Sequence, residues 1–229
     1  MKKIILLLLA FYYTNAHSQN KIIGVDGNTY NTIKIGDQIW MKENLKVRSY
    51  RNGDTIPTNL SDSTWSNTKS GAYTIYNNDI KMDSIFGKLY NWYTISDPRG
   101  LCPIGWHVPS DDEWKTLELF LGLPEKDYKK SGRRGEKQNI AGKMKSVNNG
   151  YWKHSYNGET NESGFSGLPG GVKNTKKFFG LGESGTWWTS TTMSPTTPYS
   201  WYRLLDHLKR PYRDINPNNH GFSVRCLKD

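Results

Sequence analysis

The residues best suited to chemistry in this chain gather between positions 196 and 220. Tyr199, Trp201, Arg203, Asp206, Arg210, Tyr212, Arg213, Asn216 and Asn218 fall in this one segment. Flat rings stack and bury area, while guanidinium and amide groups donate and accept, so the mixture suits an extended polar ligand such as a carbohydrate. The segment also carries Arg203, Lys209, Arg210 and Arg213. That charge favours an acidic or mixed glycan, whose binding would weaken as salt rises. A plainer reading makes Trp201 and the leucines core and leaves the rest as a solvated loop. Function nevertheless concentrates on loops held by a rigid scaffold, so the segment is the expected ligand site.

Other chemistries find little local support. The histidines His17, His107, His154, His207 and His220 are scattered, and none forms the close helical pair that holds zinc. Asp111, Asp112 and Glu113 form an acidic run, but a helix start explains them. Gly167-Leu-Pro-Gly-Gly171 lacks the lysine and hydroxyl that cradle phosphate and reads as a backbone turn. Asn216-Pro-Asn218 is the nearest approach to a calcium-dependent sugar loop. It lacks a carboxylate and lies beside Lys209, Arg210 and Arg213, the wrong sign for a hard cation. There is no Gly-x-Ser-x-Gly elbow. The expectation is a protein without catalytic residues, metal or cofactor.

These side chains need elements to position them. Ser110 with Glu113 is a capping box opening a helix over 111–121, with Trp114, Leu117 and Leu121 on one face and Gly122 and Pro124 as stops. Thr32–Ile35 and Gln38–Met41 alternate around Gly36-Asp37 and predict a hairpin. Residues 59–71 read as a polar loop, 88–95 as a strand or short helix, 129–137 as an exposed basic loop, and 140–145 as a second short helix. Strands are expected over 186–191, 200–206 and 221–227. Trp187 and Trp188 fall on opposite faces of the first, and Phe222, Val224 and Cys226 share one face of the last. The balance is α+β, with short antiparallel strands, one clear helix and long loops.

The 229 residues begin with Lys2 and Lys3, then an apolar run from Ile4 to Tyr13 and small residues at Ala16 and Ser18. That pattern predicts a signal peptide over 1–18, cut before Gln19, and no later segment reaches transmembrane length. A single domain over 19–229 would then be secreted or held at the cell surface or in the periplasm. The formal charge of +10 falls to +8 without Lys2 and Lys3, with no arginine-rich block. Export and the missing module argue against nucleic acid. Aromatics reach 13%, with nine Trp and fourteen Tyr, so rings should dominate the core. Two cysteines in an exported chain suggest one structural disulfide, Cys102 to Cys226.

Six segments then acquire a common meaning. They are Ile35-Gly-Asp-Gln-Ile-Trp-Met-Lys-Glu-Asn-Leu45, Gly87-Lys-Leu-Tyr-Asn-Trp-Tyr93, the stretch from Cys102 to Trp114, Leu168-Pro-Gly-Gly171, Trp187-Trp-Thr-Ser-Thr191 and Gly221-Phe-Ser-Val-Arg-Cys226. In this order they resemble the Fibrobacter succinogenes major paralogous domain family of exported bacterial proteins, whose biochemical role is undefined. Trp106-His-Val-Pro-Ser-Asp-Asp-Glu-Trp114 and the final Gly-Phe-x-Val-Arg strand are more distantly similar to the formylglycine-generating family. That resemblance implies a C-type-lectin-like domain whose two ends pair and whose loops decorate one side. The close cysteine pair of those enzymes is absent. The expected function is a secreted or cell-surface binding module for a carbohydrate or another envelope component. An enzyme of the formylglycine-generating type and a structural envelope protein without a small ligand are the alternatives.

Overall fold

A computed structural model describes residues 21–154 and 158–229. The expected leader, its cleavage site and His17 lie outside the described residues. The chain opens with three strands, β1 (Lys21–Ile23), β2 (Thr29–Ile35) and β3 (Gln38–Met41). The β2–β3 hairpin has the expected Gly36-Asp37 turn, with Gly36 at φ 60° and Ile33 opposite Trp40. A helical and mixed region follows: α1 (Asp62–Asn67), β4 (Tyr73–Thr74), α2 (Ile80–Phe86), β5 (Leu89–Tyr90), α3 (Trp92–Ile95) and β6 (Trp106–His107). Then come α4 (Asp111–Phe120), β7 (Gly132–Arg133) and α5 (Ile140–Met144). The remainder is all strand and loop: β8 (Gly170–Lys173), β9 (Phe178–Leu181), β10 (Gly185–Thr192), β11 (Tyr199–Leu205), β12 (Tyr212–Pro217) and β13 (Leu227–Lys228).

The strands make a five-stranded sheet ordered β1-β2-β3-β13-β6, a four-stranded sheet ordered β10-β11-β12-β7, and two small pairs, β4-β5 and β8-β9. All these strand pairings are antiparallel. The fold is therefore mixed α and β with mostly antiparallel sheets, as the patterning implied. Among the described residues no helix is long and apolar enough to cross a membrane.

Helix α4 shows how sequence becomes position. Ser110 Oγ accepts from the Glu113 amide, and Glu113 Oε2 accepts from the Ser110 amide at 2.7 Å, closing the capping box. Trp114, Leu117 and Leu121 are buried along one face. The Trp114 ring meets Trp40 at 4.9 Å and Phe165 at 5.5 Å between centroids. These rings and Trp187 form one core cluster. A second surrounds Cys102 and Cys226, which are bonded as expected with Cα atoms 6.0 Å apart. A third holds Trp188, Tyr202 and Phe222, so the adjacent tryptophans of β10 do enter different clusters.

Several expectations need correction. The polar stretch 59–71 contains α1, capped by Ser61 and anchored by the buried Trp65. Residues 88–95 divide into a strand, β5, and a helix, α3, because the Asn91 side chain caps the Thr94 amide and turns the chain. The 129–137 stretch is not merely an exposed loop. Its β7 pairs with β12, and Arg134 is buried. The single clear helix is one of five α-helices among the described residues. The terminal stretch is not one half-buried strand. Gly221, Phe222 and Ser223 make isolated bridges, and only Leu227–Lys228 is regular. Ser223 and Arg225 are as buried as Phe222, Val224 and Cys226, because the chain here threads between core clusters and is covered on both sides.

Candidate functional site

The residues of the 196–220 segment do not share one surface. On β11 and β12, Arg203 stands opposite Arg213, a pairing that would repel if nothing lay between. Asp111, at the start of α4, supplies the opposite sign. Its Oδ1 accepts from Arg203 Nη1 and Arg213 Nε, each at 2.8 Å, and its Oδ2 from Arg213 Nη2 at 2.7 Å. Glu118, two turns further on, accepts from Arg203 Nε at 3.0 Å and also pairs with Arg134. Burial would raise the Asp111 pKa, but its arginine partners outweigh that and hold it well below the usual carboxylate range. Asp111 is therefore more than a dipole complement. It neutralises a charge layer between α4 and the four-stranded sheet.

The other named residues divide similarly. Asn218 is buried and accepts from Ser200 Oγ at 2.8 Å. Asp206 pairs with Arg133 and accepts from the Leu208 amide at 2.9 Å. Trp201 is half-buried, with the Arg213 guanidinium 3.7 Å from its ring centroid. Tyr212 donates to Asp214 Oδ2 at 2.6 Å, and Asn216 sits opposite Ser200 in the β11–β12 register. Tyr199 and Arg210 are left with substantial open surface, and Arg210 pairs with Glu136 at 3.0 Å. The composition suggested a ligand face, but the pleat and the Asp111 network turn Arg203 and Arg213 inward.

Two adjoining clefts lie in the first half of the chain. One, of about 490 Å³, is lined by Val25, Asp26, Arg48, Ser49, Gly53, Thr55 and Tyr73. The second, of about 480 Å³, adds the polar Asn28, Thr58, Asn59 and Asn78, the charged Lys46, Asp83 and Lys88, and the apolar Ile75 and Ile80. Arg48 and Tyr73 line both, so the two clefts form one continuous groove. The turn between β1 and β2 supplies Asp26. The β4–β5 pair supplies Tyr73, and α2 supplies Asp83.

The groove's charges are mixed. Asp26 accepts from the Arg48 amide and also pairs with the Arg48 side chain, whose Nε lies 3.9 Å away and which is 68% exposed. Lys88 is almost wholly buried and meets Asp83 Oδ2 at 2.5 Å, with Tyr73 ring 5.3 Å from its amine. Burial lowers the Lys88 pKa, and Asp83 opposes the shift. Burial raises the Tyr73 phenol, opposed by a hydrogen bond with Thr58. Asn59 and Asn78 both adopt left-handed backbone, φ 56°, a conformation asparagine tolerates better than most residues. The groove offers donors, acceptors and one ring, and no nucleophile paired with a free base.

No three side chains of His, Cys, Asp or Glu converge among the described residues to hold a metal. His107 comes nearest to such a cluster, between Glu113 Oε1 at 2.8 Å and Asp229 Oδ1 at 2.6 Å. Both cysteines are buried and oxidised, so no thiol is free.

Sequence reasoning missed the groove because its residues are dispersed from Val25 to Lys88 with no local motif. The consecutive Asn77-Asn78, a signature of left-handed turns, was the one available signal.

The fold and its clefts define a disulfide-tied α+β domain with a polar groove and no assembled catalytic constellation among the described residues. A family model described as the Fibrobacter succinogenes major domain matches residues 33–228, and the chain belongs to that family. No curated protein and no solved structure matches the chain. The motifs that resembled this family turn out to meet in the core. Trp187 Nε1 donates to Asn44 Oδ1 at 2.8 Å, Arg225 Nε donates to the same oxygen at 3.2 Å, and Asn44 Nδ2 reaches Ser223 Oγ at 3.2 Å.

Proposed function

We propose that this protein is an exported binding module, secreted or held at the cell surface or in the periplasm, that takes a carbohydrate chain in the groove beside Tyr73. The observation that carries the reading is that Arg48 and Tyr73 line both clefts, whose other lining residues bring amide, hydroxyl and charged groups around the Tyr73 ring. Polyhydroxyl ligands need donors and acceptors placed around an apolar or aromatic surface. A C-type-lectin-like architecture belongs to the same reading. Its support is the placement of β13 between β3 and β6 and the disulfide that ties the helix entrance to the chain's last strand. The enzyme alternative of the formylglycine-generating type loses support because both sulfurs are engaged.

The test is a glycan array with the mature protein, followed by titration of Arg48→Ala and Thr58→Val against the strongest glycan. Arg48 is exposed, so its truncation should leave the melting temperature unchanged and weaken binding by roughly tenfold. Absence of saturable binding to any glycan would overturn the reading in favour of a structural envelope role. N-terminal sequencing of the processed protein tests the export part, with Gln19 expected first.

A further inference from the structure

A second cleft, sharing no lining residue with the groove, has a different chemical character. It measures about 340 Å³ and is lined by Pro124, Asp127, Gly135, Glu136 and Gln138 together with Lys126, Lys130, Arg133, Arg134, Lys137 and Arg210. Its basic side chains come from two places that the β7–β12 pairing brings together, the 126–137 stretch and the turn after β11.

Most of its cations are matched once. Lys130 pairs with Asp127, Arg133 with Asp206, Arg134 with Glu118 and Arg210 with Glu136. Lys126 and Lys137 are exposed and make no ion pair among those between described residues. A net positive charge therefore remains. More telling are two N–H groups. Arg134 is fully buried at its side chain, and its Nη atoms reach Glu118 and the Tyr128 and Lys130 carbonyls. Its Nε finds no acceptor among the described residues. Arg210 Nε is equally buried and equally unmatched. An unmatched buried donor is costly, and both of these belong to residues that line the one basic cleft.

We infer that this cleft is an anion-binding site, taking an oxyanion group, carboxylate, sulfate or phosphate, carried on a ligand about the size of one sugar ring. The oxyanion supplies acceptors to the Nε–H groups of Arg134 and Arg210, and the exposed Lys126 and Lys137 add attraction from the rim. Guanidinium groups suit this task because their planar donors fix the geometry of an oxyanion. The cleft is at the small end of ligand pockets, which fits a single ring and not a folded peptide. This inference is independent of the glycan groove, because the two share no residue and neither needs the other to be filled.

The experiment is NMR of the arginine Nε–H resonances in the oxidised protein. Glucuronate, inorganic sulfate and inorganic phosphate are added at constant ionic strength, with chloride as the control. The expected result is saturable movement of the Arg134 and Arg210 signals with at least one of the three anions and no movement with chloride. Movement with glucuronate alone assigns a carboxylate on a sugar, and movement with sulfate or phosphate assigns those groups. Arg134→Gln removes one of the two buried arginines that meet Glu118 and endangers folding, so the variants are Arg210→Gln and the double change Lys126→Ala with Lys137→Ala. Arg210→Gln should weaken the responsive anion by about tenfold, and the rim pair by about threefold with a shallower salt dependence. Nε–H signals that respond to chloride and to the three anions alike would overturn the inference. Unchanged affinity in both variants would overturn it equally.

Discussion

Arg225 places a cation in the middle of the protein without a carboxylate to meet it. Its guanidinium donates to Asn44 Oδ1 and to the Phe165 and Ser166 carbonyls, and lies 4.0 Å from the Phe165 ring centroid. Burial pushes its pKa down to about 9. Arg225 meets its three acceptors with three separate nitrogens, a span that the single ammonium of a lysine does not have, so Arg225→Lys should cost about 2–4 kcal/mol in a urea melt. A cost under half that would show the amides to be adaptable. Asp111 is the inverse case, one carboxylate facing two buried arginines. Asp111→Asn should destabilise by about 3–5 kcal/mol, because it leaves Arg213 without its carboxylate and opposite Arg203, which keeps only Glu118. His107 gives the pH signature. Burial lowers its pKa, but hydrogen bonds to Asp229 and Glu113 outweigh this, and the net shift is upward from 6.5. A raised folded-state pKa stabilises below the unfolded value, and that stabilisation fades as pH rises through the folded one. Melting temperatures of wild type and His107→Gln should therefore differ most below about pH 6 and converge above neutrality. A gap that is constant with pH would exclude the charged pair as its source.

At the scale of elements, α4 was the most legible piece. Capping box, acidic first turn and apolar face were all readable, because each depends on residues within one helix length. Ser110→Ala should cost about 0.5–2 kcal/mol, and Trp114→Ala roughly 3–5 kcal/mol given the burial of its ring against Trp40 and Phe165. Denaturant melts decide both, and a neutral Trp114→Ala would contradict the packing described for α4. The hairpin and α5 were readable for the same local reason. The terminal segment was not. Alternation of Phe222, Val224 and Cys226 implied an open opposite face, whereas Ser223 and Arg225 are buried through contacts with Asn44, which lies far away in sequence. The basic 126–137 stretch looked solvated because nothing local announces that β7 will pair with β12. The inward turn of Arg203 and Arg213 within 196–220 was hidden likewise, since the sign of Asp111 becomes relevant only once α4 lies on β11.

At the scale of the whole molecule, the α+β class and the disulfide were legible and the groove was not. Class follows from counting short segments, and the disulfide from there being two cysteines. The groove needs side chains from Val25 to Lys88 brought together by tertiary structure. The bond between Cys102 and Cys226 spans 124 positions. In the chain-entropy account a loop of that length is worth about 4–5 kcal/mol. The double change Cys102→Ser with Cys226→Ser should lower stability by about that amount, measured by urea denaturation against the oxidised wild type. A loss under about 1 kcal/mol would mean that packing alone holds the two segments together.

The place of β13 has a consequence for the time at which this protein can fold. It lies between β3 and β6 in the five-stranded sheet, yet it follows every other strand along the chain. During synthesis the ribosome releases β1 to β3 and then β6 as two sheet fragments with no strand to join them. Asn44 and Trp187 likewise wait for Arg225. Pairings of such long sequence separation form late and slowly. The five-stranded sheet and the contact of Asn44 with Arg225 are thus completed only when translation is nearly finished.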